Sequence, residues 1–330
     1  MDELELTPAS VKAGARKGHE STSRAASSPV GTQDSSVIVG LDGRDHDSDA
    51  LALGRSLQAA LGGRLLLAHV IPPPPSGRGM VECERLERNE GRELLARASA
   101  DLGDGADTEL VEPCQPARGL SQLAAERGES TLVLGSSHRG AVGRIVPGGV
   151  ASHLLACARC AIAVAPVGYA KRAQASVCRI GVAYDGTSES DLALAAAAGA
   201  ASRLGVPLHL YHAMHEISKD PSWDKFRGHL EEYARGILDV GLKQLRPEFE
   251  ATSTVLEGDV ATVIAEAASD DDVALLYVGS RGYGPLREAL FGGVAGALLQ
   301  SARCPLVIVP RSAQPAVRGR SSIAAADIGA

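Results

Sequence analysis

One stretch of this chain is written twice. Leu134 to Pro166 and Val278 to Pro310 align without a gap at an offset of 144 residues, as from Gly135 to Gly279. Gly135/Gly279, Ser136/Ser280, Gly148/Gly292, Gly149/Gly293, Leu154/Leu298, Arg159/Arg303, Cys160/Cys304 and Pro166/Pro310 are identical pairs. A gapless match of this length constrains the fold more than any local propensity, because the chain must then build the same unit twice. At 330 residues there is room for about two domains, which agrees.

Each copy of the stretch reads as the end of a buried strand, a glycine-rich loop, a helix start and a last short strand. Glycine carries no Cβ and tolerates positive φ, so at Gly279, Gly282, Gly292 and Gly293 backbone amides could approach an anion closely. A helix N-terminus directly after such a loop adds unpaired donors and a partial positive charge. The combination suits a phosphate held by backbone. The plainer alternative is that these glycines only make tight turns.

Charge and composition exclude several other roles. A formal net charge of −7 and a pI near 5.7 do not supply the basic face that nucleic acid needs. Hydrophobic residues make up 45% of the chain, enough for a sizeable core. The six scattered cysteines fit a reducing compartment better than a disulfide framework. The start MDELELTPAS lacks the basic and apolar regions of a signal peptide, and no apolar run is long enough to cross a bilayer. The expectation is a soluble, cytoplasmic protein with no nucleic-acid and no membrane partner.

Along the chain, residues 1–34 are Ser, Ala, Gly and charge without an apolar period, and read as a disordered leader. Residues 35–167 form a first domain, 168–177 a linker, 178–311 a second domain and 312–330 a loose tail. In the first domain SSVIVGLDG predicts a buried strand, with Asp47 or Ser48 placed to cap the helix that follows. The strand RLLLAHV, a long charged helix, a strand near Thr108, a helix from Arg118, STLVLGSS, a helix over 150–158 and the strand AIAVA complete it. The second domain repeats this order from CRIGVAYDG, with Ser190 placed to cap its first helix. Strands alternating with helices predict an α/β fold: in each domain a parallel five-stranded sheet with helices on both faces.

Ligands of such sheets sit beyond the carboxyl ends of the strands, where the strand order reverses. That edge carries the first-strand aspartates Asp42 and Asp185 and the two glycine loops. A carboxylate repels phosphate, so Asp185 is expected to meet a ribose or base. The competing reading is that Asp42 and Asp185 only fold Asp-Gly turns.

With these residues in hand, the segment from Ser35 to Pro310 resembles the universal stress protein (UspA) family in its tandem form, a pair of adenine-nucleotide α-hydrolase-like (Rossmann-like) domains. Nucleotide-binding members of that family carry G-x2-G-x9-G-[S/T]. The second copy reads Gly279-Ser280-Arg281-Gly282, nine residues, then Gly292-Gly293. The resemblance implies an ATP-binding stress-response regulator and not an enzyme, with AMP or ADP as alternatives and Mg2+ permitted but not required. It implies a second-domain site of Asp185, Ala213, Gly279, Gly282, Gly292, Gly293 and Val294, and a first-domain counterpart of Asp42, Val70, Gly135, Gly148, Gly149 and Val150. It further implies that the last strands of the two domains pair antiparallel as an internal pseudo-dimer; association of two whole chains is allowed but not demanded.

Two departures bear on this. Gly149 and Gly293 stand where the family's ATP binders have Ser or Thr, which removes a hydroxyl donor worth about 1 kcal/mol. In the first copy His138 replaces the second glycine of the motif. Nucleotide is therefore expected chiefly in the second domain. The alternative is a UspA-type interaction module that binds no nucleotide.

Other constellations carry less. His209, His212 and His215 alternate across a strand and cannot converge on one metal ion. Cys157 and Cys160 form a C-x2-C without a second pair. Ser136, Ser137 and His138 are too close in sequence for nucleophile and base geometry. No G-x4-GK[ST] loop is present, and LDGRDHDS and YDGTSES do not fit the SGGxDS loop of related hydrolases. Arg281 and Arg287 flank the second loop, where they could pair with phosphate or simply face solvent.

Overall fold

The computed structural model describes residues 36–74, 80–103, 106–128, 130–137, 143–157, 159–172, 178–218, 220–247, 249–280 and 293–311. The first repeat runs β1 (Ser36–Gly40), α1 (Asp47–Leu61), β2 (Arg64–Val70), α2 (Met80–Leu102), β3 (Ala106–Val111), α3 (Pro116–Glu126), β4 (Ser130–Gly135), α4 (Gly149–Cys157) and β5 (Ala161–Ala165). A 3-10 turn at Tyr169–Lys171 follows. The second repeat runs β6 (Ile180–Ala183), α5 (Ser188–Leu204), β7 (Leu208–Met214), a 3-10 turn at Pro221–Trp223, α6 (Asp224–Gln244), β8 (Ala251–Glu257), α7 (Val260–Asp270), β9 (Leu275–Ser280), α8 (Val294–Ser301) and β10 (Leu306–Pro310).

All ten strands join one sheet in the order β3-β2-β1-β4-β5-β10-β9-β6-β7-β8. Within each repeat every pairing is parallel. The junction is antiparallel, with Leu306 opposite Val164 and Ile308 opposite Ile162. The internal pairing that the family resemblance implies is thus present. β5 and β10 can lie at the centre because they are apolar on both faces, AIAVA and LVIVP, with Ile162 to Ala165 and all of β10 buried. Strands covered on both sides have this composition.

Two apolar cores follow, one on each face of the sheet, and each runs through both repeats. One contains Leu53 and Leu57 of α1, Leu95 of α2, Leu194 of α5 and Leu238 of α6. The other contains Leu120 of α3, Leu154 of α4, Ile264 of α7 and Leu298 of α8. Each fully buried leucine of this kind contributes about 1.5–3 kcal/mol.

The helix starts differ from the sequence expectation. Neither Asp47 nor Ser48 caps α1; Asp47 lies within the helix and turns its carboxylate back onto the Asp42 and Gly43 amides at 3.2 and 2.8 Å. In the second repeat Thr187, not Ser190, is the cap of α5, its side chain accepting from the Ser190 amide. Among the described residues no helix is long and apolar enough to cross a membrane.

Candidate functional site

The strand order of the second repeat, β8-β7-β6-β9-β10, reverses between β6 and β9. Those strands pair with Ala183 opposite Val278, so Asp185 and Ser280 stand at the same height, each two residues further on. This brings Asp185 and the end of β9 to the one crevice where α/β sheets take ligands.

Asp185 is held firmly. Its Oδ1 accepts from both the amide and the hydroxyl of Thr187, an Asx turn that also sets up the α5 cap. Burial pulls this carboxyl up, but the Thr187 and Ser190 hydrogen bonds and nearby His212 outweigh it and hold the group below the usual carboxylate range. The His212 ring is fixed by a 2.9 Å hydrogen bond between Nδ1 and the Tyr184 carbonyl. Thr187 was not singled out from the sequence, and His212 was weighed there only as a metal ligand. The D-x-T spacing of Asp185 and Thr187 was a readable signal; the approach of His212 depends on the β6/β7 register and was not.

The glycines divide into two kinds. A Cβ on Gly279 would lie 2.3 Å from the Glu189 carbonyl oxygen, and one on Gly135 would lie 2.5 Å from that of His46. These two glycines let the first turns of α5 and α1 press against β9 and β4, and neither adopts positive φ. Packing alone therefore requires glycine at both positions, independently of any role toward an anion. A Cβ on Gly148, Gly149 or Gly293 would meet nothing within 4 Å. Gly293 is extended at φ −117°, ψ 164°, so its backbone does not demand glycine either, and Val294 opens α8 beside it with 40% of its surface exposed. Gly282, Gly292, Arg281 and Arg287 lie outside the described residues, as does His138.

Of the strand-two residues, Ala213 is half-buried near the end of β7. Val70, its counterpart in β2, is buried, and a Cβ on Gly119 would touch its methyl groups at 3.0 Å. Val150 is partly buried against the core under α4.

The first-repeat crevice is furnished differently. Asp42 lies 3.2 Å from His46 Nε2 and 3.6 Å from Arg44. Burial raises its carboxyl, but the His46 and Arg44 contacts dominate and hold it low, while the Asp42 bond raises His46. Asp47 is buried, and that burial pushes its carboxyl up. Asp42, His46 and Asp47 bring ligand-type atoms within 4.8 Å of one another. Asp47 already accepts two backbone amides there. Beyond β4 three described amides have backbone partners: that of Ser137 bonds the Val146 carbonyl at 2.7 Å, that of Gly143 bonds Val167 at 2.8 Å, and that of Ile145 bonds Ala302 at 3.3 Å. The Val146 amide reaches Ser136 Oγ, whose hydroxyl donates to the Ala165 carbonyl at 2.6 Å.

The histidine run does not converge. His209 is buried between the hydroxyls of Thr252 and Thr254 at 2.7 and 2.9 Å, whereas His212 bonds Tyr184. Cys304 is buried, which pushes its thiol up to about 12.

Fold and crevice together define a tandem pair of Rossmann-like domains sharing one sheet. The universal stress protein family model matches residues 35–166 and 178–310, so the chain belongs to the universal stress protein family. Universal stress protein Rv2005c of Mycobacterium tuberculosis is 30% identical over 295 residues, which cover 84% of this chain and 97% of that protein. A Mycolicibacterium smegmatis universal stress protein is 27% identical over 290 residues, 83% of this chain and 96% of the relative. Among solved structures, a universal stress protein from Archaeoglobus fulgidus matches with a TM-score of 0.59 at 17% identity, covering 84% of this chain and 97% of that one.

Proposed function

We propose that the chain binds an adenine nucleotide, ATP with ADP or AMP as alternatives, at the mouth of the second repeat, and acts as a stress-responsive regulator rather than a catalyst. The observation that carries this is the placement of an ionised Asp185 at the strand-order reversal, level with the end of β9. The residues there fit a nucleotide. The Asp185 carboxylate accepts hydrogen bonds from a ribose or base. The first-turn amides of α8 lack intrahelical acceptors and suit a phosphate. Open space at Gly293 leaves room beside them.

The Thr187 and Ser190 hydroxyls bond Asp185 and the Thr187 carbonyl rather than a histidine, so neither is set up as an activated nucleophile. A regulator needs only that nucleotide favour one of two conformations of the protein.

The test is calorimetric titration of ATP into the full chain, with released nucleotide assayed after denaturation. Replacing Asp185 with Ala removes a charged hydrogen bond worth about 1.5–3 kcal/mol and should weaken ATP about 10- to 100-fold. Replacing Asp42 with Ala should change it by less than about twofold. Equal losses in both variants, or no heat with wild type and no released nucleotide, overturn the assignment.

A further inference from the structure

The two long outer helices, α2 and α6, occupy the same place in the two repeats and align at an offset of 143 residues. Their buried faces agree: Gly91, Leu95 and Ala98 of α2 and Ala234, Leu238 and Gly241 of α6 all lie against the sheet. Their other faces do not. Where α2 has Cys83, Glu87, Glu90, Leu94 and Arg97, α6 has Phe226, Leu230, Tyr233, Ile237 and Val240. Phe226 is 49% exposed, Tyr233 69% and Val240 55%, and Trp223, just before the helix, is 48% exposed and in edge contact with Phe226. The spacing of three and four residues makes a continuous ridge. The fold does not require it, since α2 holds the same place with two separate exposed apolar residues, Val81 and Leu86, among ion pairs of Arg85 with Glu82 and Arg88 with Glu84.

We infer that the α6 ridge is a docking surface for a second copy of this chain, paired antiparallel about a twofold axis through Tyr233. The ridge is self-complementary in that arrangement. Phe226 and Val240 lie seven residues to either side of Tyr233, about 10.5 Å at 1.5 Å per residue. Each Phe226 then meets the partner's Val240, large against small. Leu230 falls on the same flank as the partner's Ile237 and at nearly the same height, apolar against apolar. The exposed flank carries Lys225, Glu232, Asp239 and Lys243, a mixture of signs that does not suit an anionic membrane or nucleic acid. Three aromatic side chains, each about half exposed or more, offer roughly 300 Å² per copy. That supports a small, reversible, symmetric contact rather than a permanent one.

The pairing is independent of nucleotide, although Ile237 packs 3.2 Å from the Cβ position of Gly186, next to Asp185. The test is sedimentation velocity on the nucleotide-free full chain over about a hundredfold range of concentration. Wild type should pass from monomer to dimer. Tyr233→Arg, at an exposed position, should melt as wild type does and self-associate about tenfold or more weakly. Glu90→Arg, at the matching position of α2, should behave as wild type. A Tyr233→Cys chain with the exposed Cys83 and Cys178 changed to Ser should form a disulfide dimer on oxidation, because a residue on the twofold meets itself. A monomeric wild type at every concentration, unaltered dimerisation of Tyr233→Arg, or a dimer that does not cross-link through position 233 overturns the inference.

Discussion

The loops after β1 and β6 descend from one pattern and have been furnished in opposite ways. Both place an aspartate after the first strand of a repeat, Asp42 and Asp185, and both are followed by a helix packed on a strand-end glycine. In the first repeat the aspartate is tied to His46 and Arg44, and the buried carboxylate of Asp47 takes the loop amides. In the second, Ser190 replaces Asp47, Glu189 replaces His46, and the aspartate is braced by neutral hydroxyls and an amide on its own loop, with His212 of β7 nearby. The first arrangement pairs its aspartate with two basic groups of its own loop. The second leaves Asp185 without a basic residue of its own loop against it, the difference on which the proposed division of roles between the repeats rests.

The largest effect that would sharpen this contrast is steric. Gly279→Ala drives a Cβ into the Glu189 carbonyl and should destabilise the fold by about 1–3 kcal/mol or more, visible as a drop of several degrees in thermal melting. Gly135→Ala should behave alike against His46. Gly293→Ala should be nearly silent in the same assay. A benign Gly279→Ala would return that glycine to the ligand.

A smaller effect is electrostatic and confined to the first repeat. His46 is raised chiefly by its bond to Asp42, so its contribution to stability is full below its unfolded value of about 6.5 and is lost as pH rises through the raised folded value. Asp42 is lowered, so its contribution is present above about pH 4 and is lost as pH falls through the folded value. The pair therefore contributes most between about pH 4 and 6.5. Compared with wild type, His46→Gln should melt about 1–2 °C lower near pH 5.5, the half-exposed aspartate limiting the effect, and the gap should close above about pH 8. A gap that widens with rising pH would break the comparison.

The smallest is a gain. Gly293 has room for a side chain and sits at the cap of α8. Gly293→Ser restores a donor worth about 1 kcal/mol and should tighten ATP about fivefold by calorimetry, with a few tenths of a kcal/mol of helix stability besides.

Much of the fold was legible because its signals are local. The doubled stretch from Gly135 to Pro166 and Gly279 to Pro310 announced two copies, and unbroken apolar runs such as LVIVP marked strands covered on both sides. Helix starts were read less well, since whether Asp47 caps its own helix or folds back onto Asp42 depends on the path of the loop between them. The site was legible as far as Asp185, whose position at a strand end follows from alternation of elements. It was not legible for Gly135 and Gly279, because the group each avoids is a carbonyl some ninety residues away in sequence. The α6 ridge escaped for a related reason: Phe226, Tyr233 and Val240 look like core residues until the sheet claims the neighbouring face of the helix.

The antiparallel seam between β5 and β10 has one more consequence. Because both of its strands belong to one polypeptide, the halves meet at an effective concentration fixed by the tether and not by the abundance of the protein. Dilution cannot part them. Selection acting on either half is then released from the need to keep it a competent mate, which is the condition under which two copies of one loop can come to be furnished differently.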